Sequence, residues 1–278
     1  MARGAGVYKS PAELALMVAP GRLTAEALEA IRPAIRAGVT TLELDAIAER
    51  VIRAGGGAPN FMLEPGYRHT VCASVNDAVV HGVPGDRIIA PGDIVSIDCG
   101  AIVEGWNGDA AFSVVVPDPA RPELVASRQH MVDATERSLW AGIAALASAR
   151  HLNDIGGAIE DVITEAGPTW GIIEDFTGHG IGRSMHEDPP VFNYRVRDKG
   201  VKVRPGLVVA IEPMVTEGTI ETHVLADDWT IVTDDGGVAV HWEHTVAVHD
   251  GGIWVMTALD GGAERLAPFG VLPVEISA

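Results

Sequence analysis

Apolar positions along this chain follow two rhythms, one near 3.6 residues and one of two, that alternate in blocks. From Pro11 to about Ala37 the spacing of Leu14, Met17 and Val18, then Leu28, Ile31 and Ile35, predicts helix with a break at Pro20-Gly21. Thr41 precedes Leu44, Ile47 and Val51, an amphipathic helix that stops at Gly55-Gly56-Gly57. Pro59 to His69 is rich in turn residues, and Thr70 to Val75 reads as a short strand. A β-branched run then leads to Asp98, and a second strand from Asp109 through Val116 forms a hairpin with it. Pro122 opens a long helix in which Val125, Val132, Leu139 and Leu146 recur every seven residues. Asn153 or Asp154 caps the next helix, with Ile155, Ile159, Val162 and Ile163 turned inward. Beyond a polar stretch from Thr177 to Pro190 come further strands, ending at Glu212, at Trp229 to Val232 and at Val240 to Val246.

The blocks repeat. Pro91-Gly92-Asp93-Ile94-Val95-Ser96-Ile97-Asp98 and Pro205-Gly206-Leu207-Val208-Val209-Ala210-Ile211-Glu212 lie 114 positions apart. Each is a Pro-Gly turn, a half-buried strand and a carboxylate seven residues after the proline. Glu49-Arg50-Val51-Ile52 and Glu160-Asp161-Val162-Ile163 repeat at an offset of 111, and His81-Gly82-Val83 is echoed by His179-Gly180-Ile181. Such a period is too long for a solenoid. It predicts an α+β fold of two pseudo-symmetric halves, roughly 11–116 and 120–250, within one domain spanning 1–278, each half bringing a carboxylate and a histidine to the junction.

Charge narrows the partners. With 38 acidic and 20 basic residues the formal net charge is −18, which argues against DNA, RNA and anionic membrane surfaces. No apolar run reaches the length of a membrane span, and Met1 to Ser10 lacks the apolar core of a secretory signal. The two cysteines, Cys72 and Cys99, agree with a reducing compartment, so the expectation is a cytoplasmic protein.

Asp98, Glu212 and Glu243 each interrupt an apolar, strand-like run, where an uncompensated carboxylate costs several kcal/mol of desolvation. Asp109 sits between Gly108 and Ala110, and His179 between two glycines, so both have room for a ligand to approach. Each taken alone has a bland reading as a turn former, a cap or a hydrogen-bonded structural histidine, and ten histidines make chance clustering real. Together, four carboxylates and an imidazole call for about two divalent cations. Oxygen ligands without thiolate favour manganese, iron(II), cobalt or zinc, and such a pair activates water for hydrolysis. The pleat puts Asp98 and Cys99 on opposite faces, so only one of them can serve a given site.

The motifs His81-Gly82-Val83-Pro84, Ile97-Asp98-Cys99-Gly100, Asn107-Gly108-Asp109, Gly178-His179-Gly180-Ile181-Gly182, Met185-His186-Glu187-Asp188-Pro189, Ile211-Glu212-Pro213 and Trp242-Glu243-His244-Thr245, in this order, closely resemble the type I methionine aminopeptidases. The resemblance runs from about Leu14 to Val248. It implies the pita-bread fold, two α/β halves around a curved antiparallel sheet. It further implies two divalent metal ions, with Asp98 chelating one, Asp109 and Glu243 bridging both, and His179 and Glu212 completing the other. Glu212 would also carry the proton between water and leaving amine, and His81 and His186 would hydrogen-bond the substrate. Tyr67, Cys72 and Trp229 match the methionine pocket, while Met185 and Glu64 stand where aromatic residues are expected. The implied substrates are the N-terminal peptides of nascent proteins, met by a monomer in transient contact with the ribosome. The rival readings are a proline-directed peptidase of the same fold, which usually carries a further domain ahead of it, and a module that has lost its metal ligands and only binds.

Overall fold

Ser10 starts the first helix with a reciprocal cap: its hydroxyl accepts the Glu13 N–H at 3.4 Å and the Glu13 carboxylate accepts the Ser10 N–H at 2.8 Å. In the computed structural model, which describes residues 6–276, this helix (α1, Pro11–Ile31) runs unbroken through Pro20, against the break expected there. Tertiary packing overrides the local signal. A Cβ on Gly21 would lie 2.7 Å from the Cβ of Met256, and one on Gly108 would lie 2.7 Å from the Cα of Gly21, so helix and strand touch backbone to backbone. Thr24, one turn on, accepts the Ala101 N–H at 3.1 Å and donates to the Gly108 carbonyl at 3.2 Å, tying the helix to two strands.

The second helix (α2, Thr41–Ala54) repeats the cap with Thr40 and Glu43 and ends at Gly55. The other half has the same pair in the same order, α3 (Pro122–Leu146) and α4 (Gly156–Ala166). Of the two expected caps of α4, Asp154 closes a 3-10 turn by accepting the His151 N–H at 3.0 Å, and the α-helix proper starts after it. Asn153 instead donates to the Asp198 carbonyl.

Among the described residues nine strands form the main sheet: β1 (Ala58–Pro59), β2 (Val71–Val75), β3 (Ile94–Val103), β4 (Trp106–Val115), β5 (Gly178–Gly180), β6 (Glu187–Val191), β7 (Val208–Ile211), β8 (Glu243–His249) and β9 (Gly252–Val255). Their order is β1-β3-β4-β8-β7-β5-β6, with β2 beside β3 and β9 beside β8, and every pairing is antiparallel. The β3–β4 hairpin turns on Glu104-Gly105, both at positive φ (51° and 75°), the two-residue turn whose twist suits a hairpin. β8 pairs with β4 of the first half and β7 of the second, closing the two halves into one curved sheet.

One face of this sheet carries Val95, Ile97, Cys99, Val209 and Ile211, buried in a single core with Leu28, Leu44, Ile52, Leu139, Ile143 and Ile159 of the four helices. The other face is left free for chemistry. The contact of α1 with β4 is close enough that Gly108→Ala should destabilise the fold by about 1–3 kcal/mol. Urea unfolding measures this, and an unchanged midpoint would show that the contact has slack.

Candidate active site

Register alone assembles the site. Asp98 lies opposite Ala111 and Cys72, Glu243 opposite Ala111, and Asp109 is two residues from Ala111. His179 lies opposite Ala210, two residues before Glu212. Directly paired residues share a face and so do residues two apart. Asp98, Asp109, His179, Glu212, Glu243 and Cys72 therefore all point to the concave face, and Cys99 to the core.

They line one cavity of about 130 Å³, together with His81 and His186. Ligand atoms of Asp109, His179 and Glu243 lie within 4.8 Å of one another, and so do those of Glu212, His241 and Glu243. Asp98 belongs to neither tight trio but lines the same cavity. The expected set is thus brought together, and His241 joins it unannounced. Its signal was present: His241 precedes Glu243 by two residues, so the strand alternation carries both to one face.

The backbone beneath these groups is fixed. The Thr245 hydroxyl accepts the Asp109 N–H at 3.1 Å and donates to the Asp109 carbonyl at 2.7 Å. The Asn193 amide donates to the Glu212 carbonyl at 3.0 Å. His179 Nδ1 sits 2.9 Å from the Gly180 carbonyl and so carries the proton, leaving Nε2 as an acceptor 3.5 Å from Glu212 Oε1. The rings of His179 and His186 are 4.5 Å apart, and His81, held at φ 58°, stands edge-on to Phe176 at 5.8 Å.

Among the described residues Asp98 Oδ1, Asp109 Oδ1, Glu243 Oε1 and His241 Nε2 are buried with no hydrogen-bond partner. Orphaned acceptors of like charge, packed together, are what a cation site leaves when its ions are subtracted. The donor set is oxygen-rich with imidazole and no thiolate, as expected, and it fits divalent cations of the manganese-to-zinc series. Burial pushes the Asp98 carboxyl up to about 7, with Glu212 adding to the rise and His241 opposing it. Burial likewise lifts Glu212 to about 7 against the pull of His179. Asp109 and Glu243 are raised well above the usual range, by burial and then by the other carboxylates. Burial holds His81 down near 4, neutral at physiological pH.

Beside the carboxylates the cavity turns apolar. Phe61, Tyr67, Cys72 and Met185 form a buried cluster with Trp229 packed on it. Tyr67 meets Trp229 at 4.9 Å and donates its hydroxyl to the Val71 carbonyl at 2.7 Å. The Cys72 thiol is pushed up by burial and by Asp98, so it serves as an apolar wall and not a nucleophile. Phe61, absent from the expected set, belongs to this wall, and Glu64 lines the cavity half-buried.

A curved antiparallel sheet with an acid-and-imidazole cluster on its concave face is the arrangement of a metal-dependent peptidase. The chain belongs to metallopeptidase family M24, whose model matches residues 15–250, and within it to the methionine aminopeptidases. It is 46% identical to methionine aminopeptidase 1 of Mycobacterium tuberculosis over 90% of this chain and 94% of that one. With the Escherichia coli methionine aminopeptidase it shares 36% identity over 90% of this chain and 92% of the other. The crystal structure of the Thermotoga maritima methionine aminopeptidase superimposes with a TM-score of 0.83 at 34% identity, over 90% of this chain and 98% of that one. The prolidase from Pyrococcus furiosus shares only the fold, at a TM-score of 0.63 and 21% identity, over 91% of this chain and 65% of its own.

Carboxyls held protonated near neutrality must release protons when a cation takes their place. Loading the metal-free protein with Mn²⁺ should therefore release protons at pH 6, and the number released should fall by about two as pH rises through 7, where Asp98 and Glu212 lose theirs beforehand. Calorimetry in buffers of different ionisation heat counts them. Heats independent of buffer at pH 6 would contradict the shared site.

Proposed function

We propose that the enzyme removes the initiator methionine from newly made chains whose second residue is small, by hydrolysis at a two-cation centre. The observation that carries this reading is the joining, in one small cavity, of four clustered carboxylates with an apolar wall of Tyr67, Cys72, Met185 and Trp229. Asp98, Asp109, His179, Glu212 and Glu243 would hold the cations, with the carboxylates of Asp109 and Glu243 shared between them. So held, two divalent ions offset the four negative charges, make water acidic near neutral pH and polarise a carbonyl.

The chain's own groups do the rest. The apolar wall takes up the methionine side chain and sets its amide beside the carboxylates. Glu212 accepts a proton from the attacking water and delivers it to the amine nitrogen as the C–N bond breaks, a transfer its place in the cluster favours. His81 and His186 donate hydrogen bonds, one to the scissile amide and one to the oxygen on which charge develops. The narrow cavity favours a small residue after methionine. Manganese, iron(II), cobalt and zinc all suit the donors. We further read the enzyme as a cytoplasmic monomer that meets its substrates at the ribosome. No described helix is long and apolar enough to cross a membrane.

Chelated protein should cleave neither Met-Ala-Ser nor Ala-Pro-Ser, and adding back Co²⁺ or Mn²⁺ should restore methionine release from the first alone. Cleavage of Ala-Pro-Ser would move the assignment to a proline-directed peptidase. Asp109→Asn, which removes a shared charge, should lower kcat/KM by more than about 100-fold, beyond the effect of losing an outer contact. Activity within tenfold of wild type would sink that role for Asp109.

A further inference from the structure

The N-terminal segment is fastened to the second half of the chain. Tyr8 bridges to Leu207 and donates its hydroxyl to the Lys202 carbonyl at 2.7 Å, and the Lys9 N–H donates to the Gly206 carbonyl at 2.7 Å. The Lys9 ammonium turns inward and meets Glu187 Oε2 at 2.6 Å, with the two side chains only 4% and 11% exposed. A pair this buried gains little net stability, because desolvation cancels most of the attraction.

Its effect is on shape. The second oxygen of Glu187 accepts the Ser184 N–H at 3.0 Å, and the Ser184 carbonyl accepts the Gly182 N–H at 3.0 Å, so Glu187 staples the turn 182–187. A Cβ on Gly182 would lie 2.7 Å from Lys9 Cε and 2.9 Å from the Glu187 carboxylate, leaving the staple no slack. The turn is anchored at its start by Asn107, whose amide and N–H both donate to the Gly182 carbonyl, at 3.0 and 2.9 Å. Arg183 lies over the Trp106 ring at 4.0 Å and donates to the Glu104 carbonyl at 2.8 Å.

This turn carries Met185 of the apolar wall and His186. The His186 ring is exposed and packs on His179 at 4.5 Å. Its place is thus set by its backbone, and the backbone by Glu187 at one end of the turn and by Asn107 and Arg183 at the other.

We propose that Lys9 is a positioning residue for hydrolysis: through its buried ion pair with Glu187 it fixes the turn that presents His186 to the substrate. The inference rests on the role given to His186 above. Lys9→Met alone strands a buried carboxylate, so the test is the double variant Lys9→Met, Glu187→Gln, which removes both charges and keeps an oxygen for the Ser184 N–H.

The double variant should melt within a few degrees of wild type and bind Mn²⁺ with unchanged stoichiometry and affinity by calorimetry. On Met-Ala-Ser its kcat should nevertheless fall about 10- to 100-fold with KM within about threefold, the mark of a group misplaced in the transition state. Lys9→Arg, which keeps a cation at the pair, should recover part of kcat. A double variant with wild-type kcat overturns the proposal, and so does one that has lost Mn²⁺ binding, since Lys9 would then support the ligands and not His186. A wild-type protein that binds Mn²⁺ but releases no methionine overturns the functional reading itself, and is told apart from those outcomes by that control.

Discussion

The burial of four neighbouring carboxyls, each made costly to ionise, is the constraint to which the rest of the structure answers. Asp98, Asp109 and Glu243 lie on three strands and Glu212 directly after a fourth, from both halves of the chain; burial makes each costly to ionise, and neighbouring carboxylates add to that cost at Asp98, Asp109 and Glu243. Among the described residues no Lys or Arg lines the cavity to relieve them. The fold must therefore hold these polar groups together by force of packing, and it does so from behind. Four helices press a largely apolar face of the sheet, while Thr245 and Asn193 pin the main chain at Asp109 and Glu212. The stability stored in that core is what allows the front face to remain electrostatically incomplete until a cation completes it.

Most of this was legible in the sequence because it follows from alternation. Once Asp98 and Glu212 are seen to stand seven residues after equivalent Pro-Gly turns, a period of two decides which neighbours share their face, and the duplicated helix pairs follow from the 111-residue offset. The misses have physical reasons. Pro20-Gly21 carries a strong local break signal, but the close contact of Gly21 with Gly108 and Met256 decides the outcome, and that contact spans some 87 and 235 positions. Asn153 and Asp154 are equal as caps by propensity, and only the return of the chain near Asp198 separates them. His241 obeyed the alternation that placed Glu243, but a histidine in a strand also has an ordinary structural reading, and nothing local tells the two apart. Phe61 sits in a turn-rich stretch without periodicity, so its burial against Tyr67 belongs to tertiary structure alone.

β8 joins strands of both halves in an unbroken ladder, His244 pairing with Ala110 on one side and Ile211 on the other. A clamshell opening between the halves would have to tear those hydrogen bonds, at a cost approaching that of unfolding the core. Traffic of ions and peptide must then pass through the mouth of the cavity on the concave side. The kinetics of metal exchange then belong to side-chain rearrangement at that mouth, on a far faster clock than any separation of the halves.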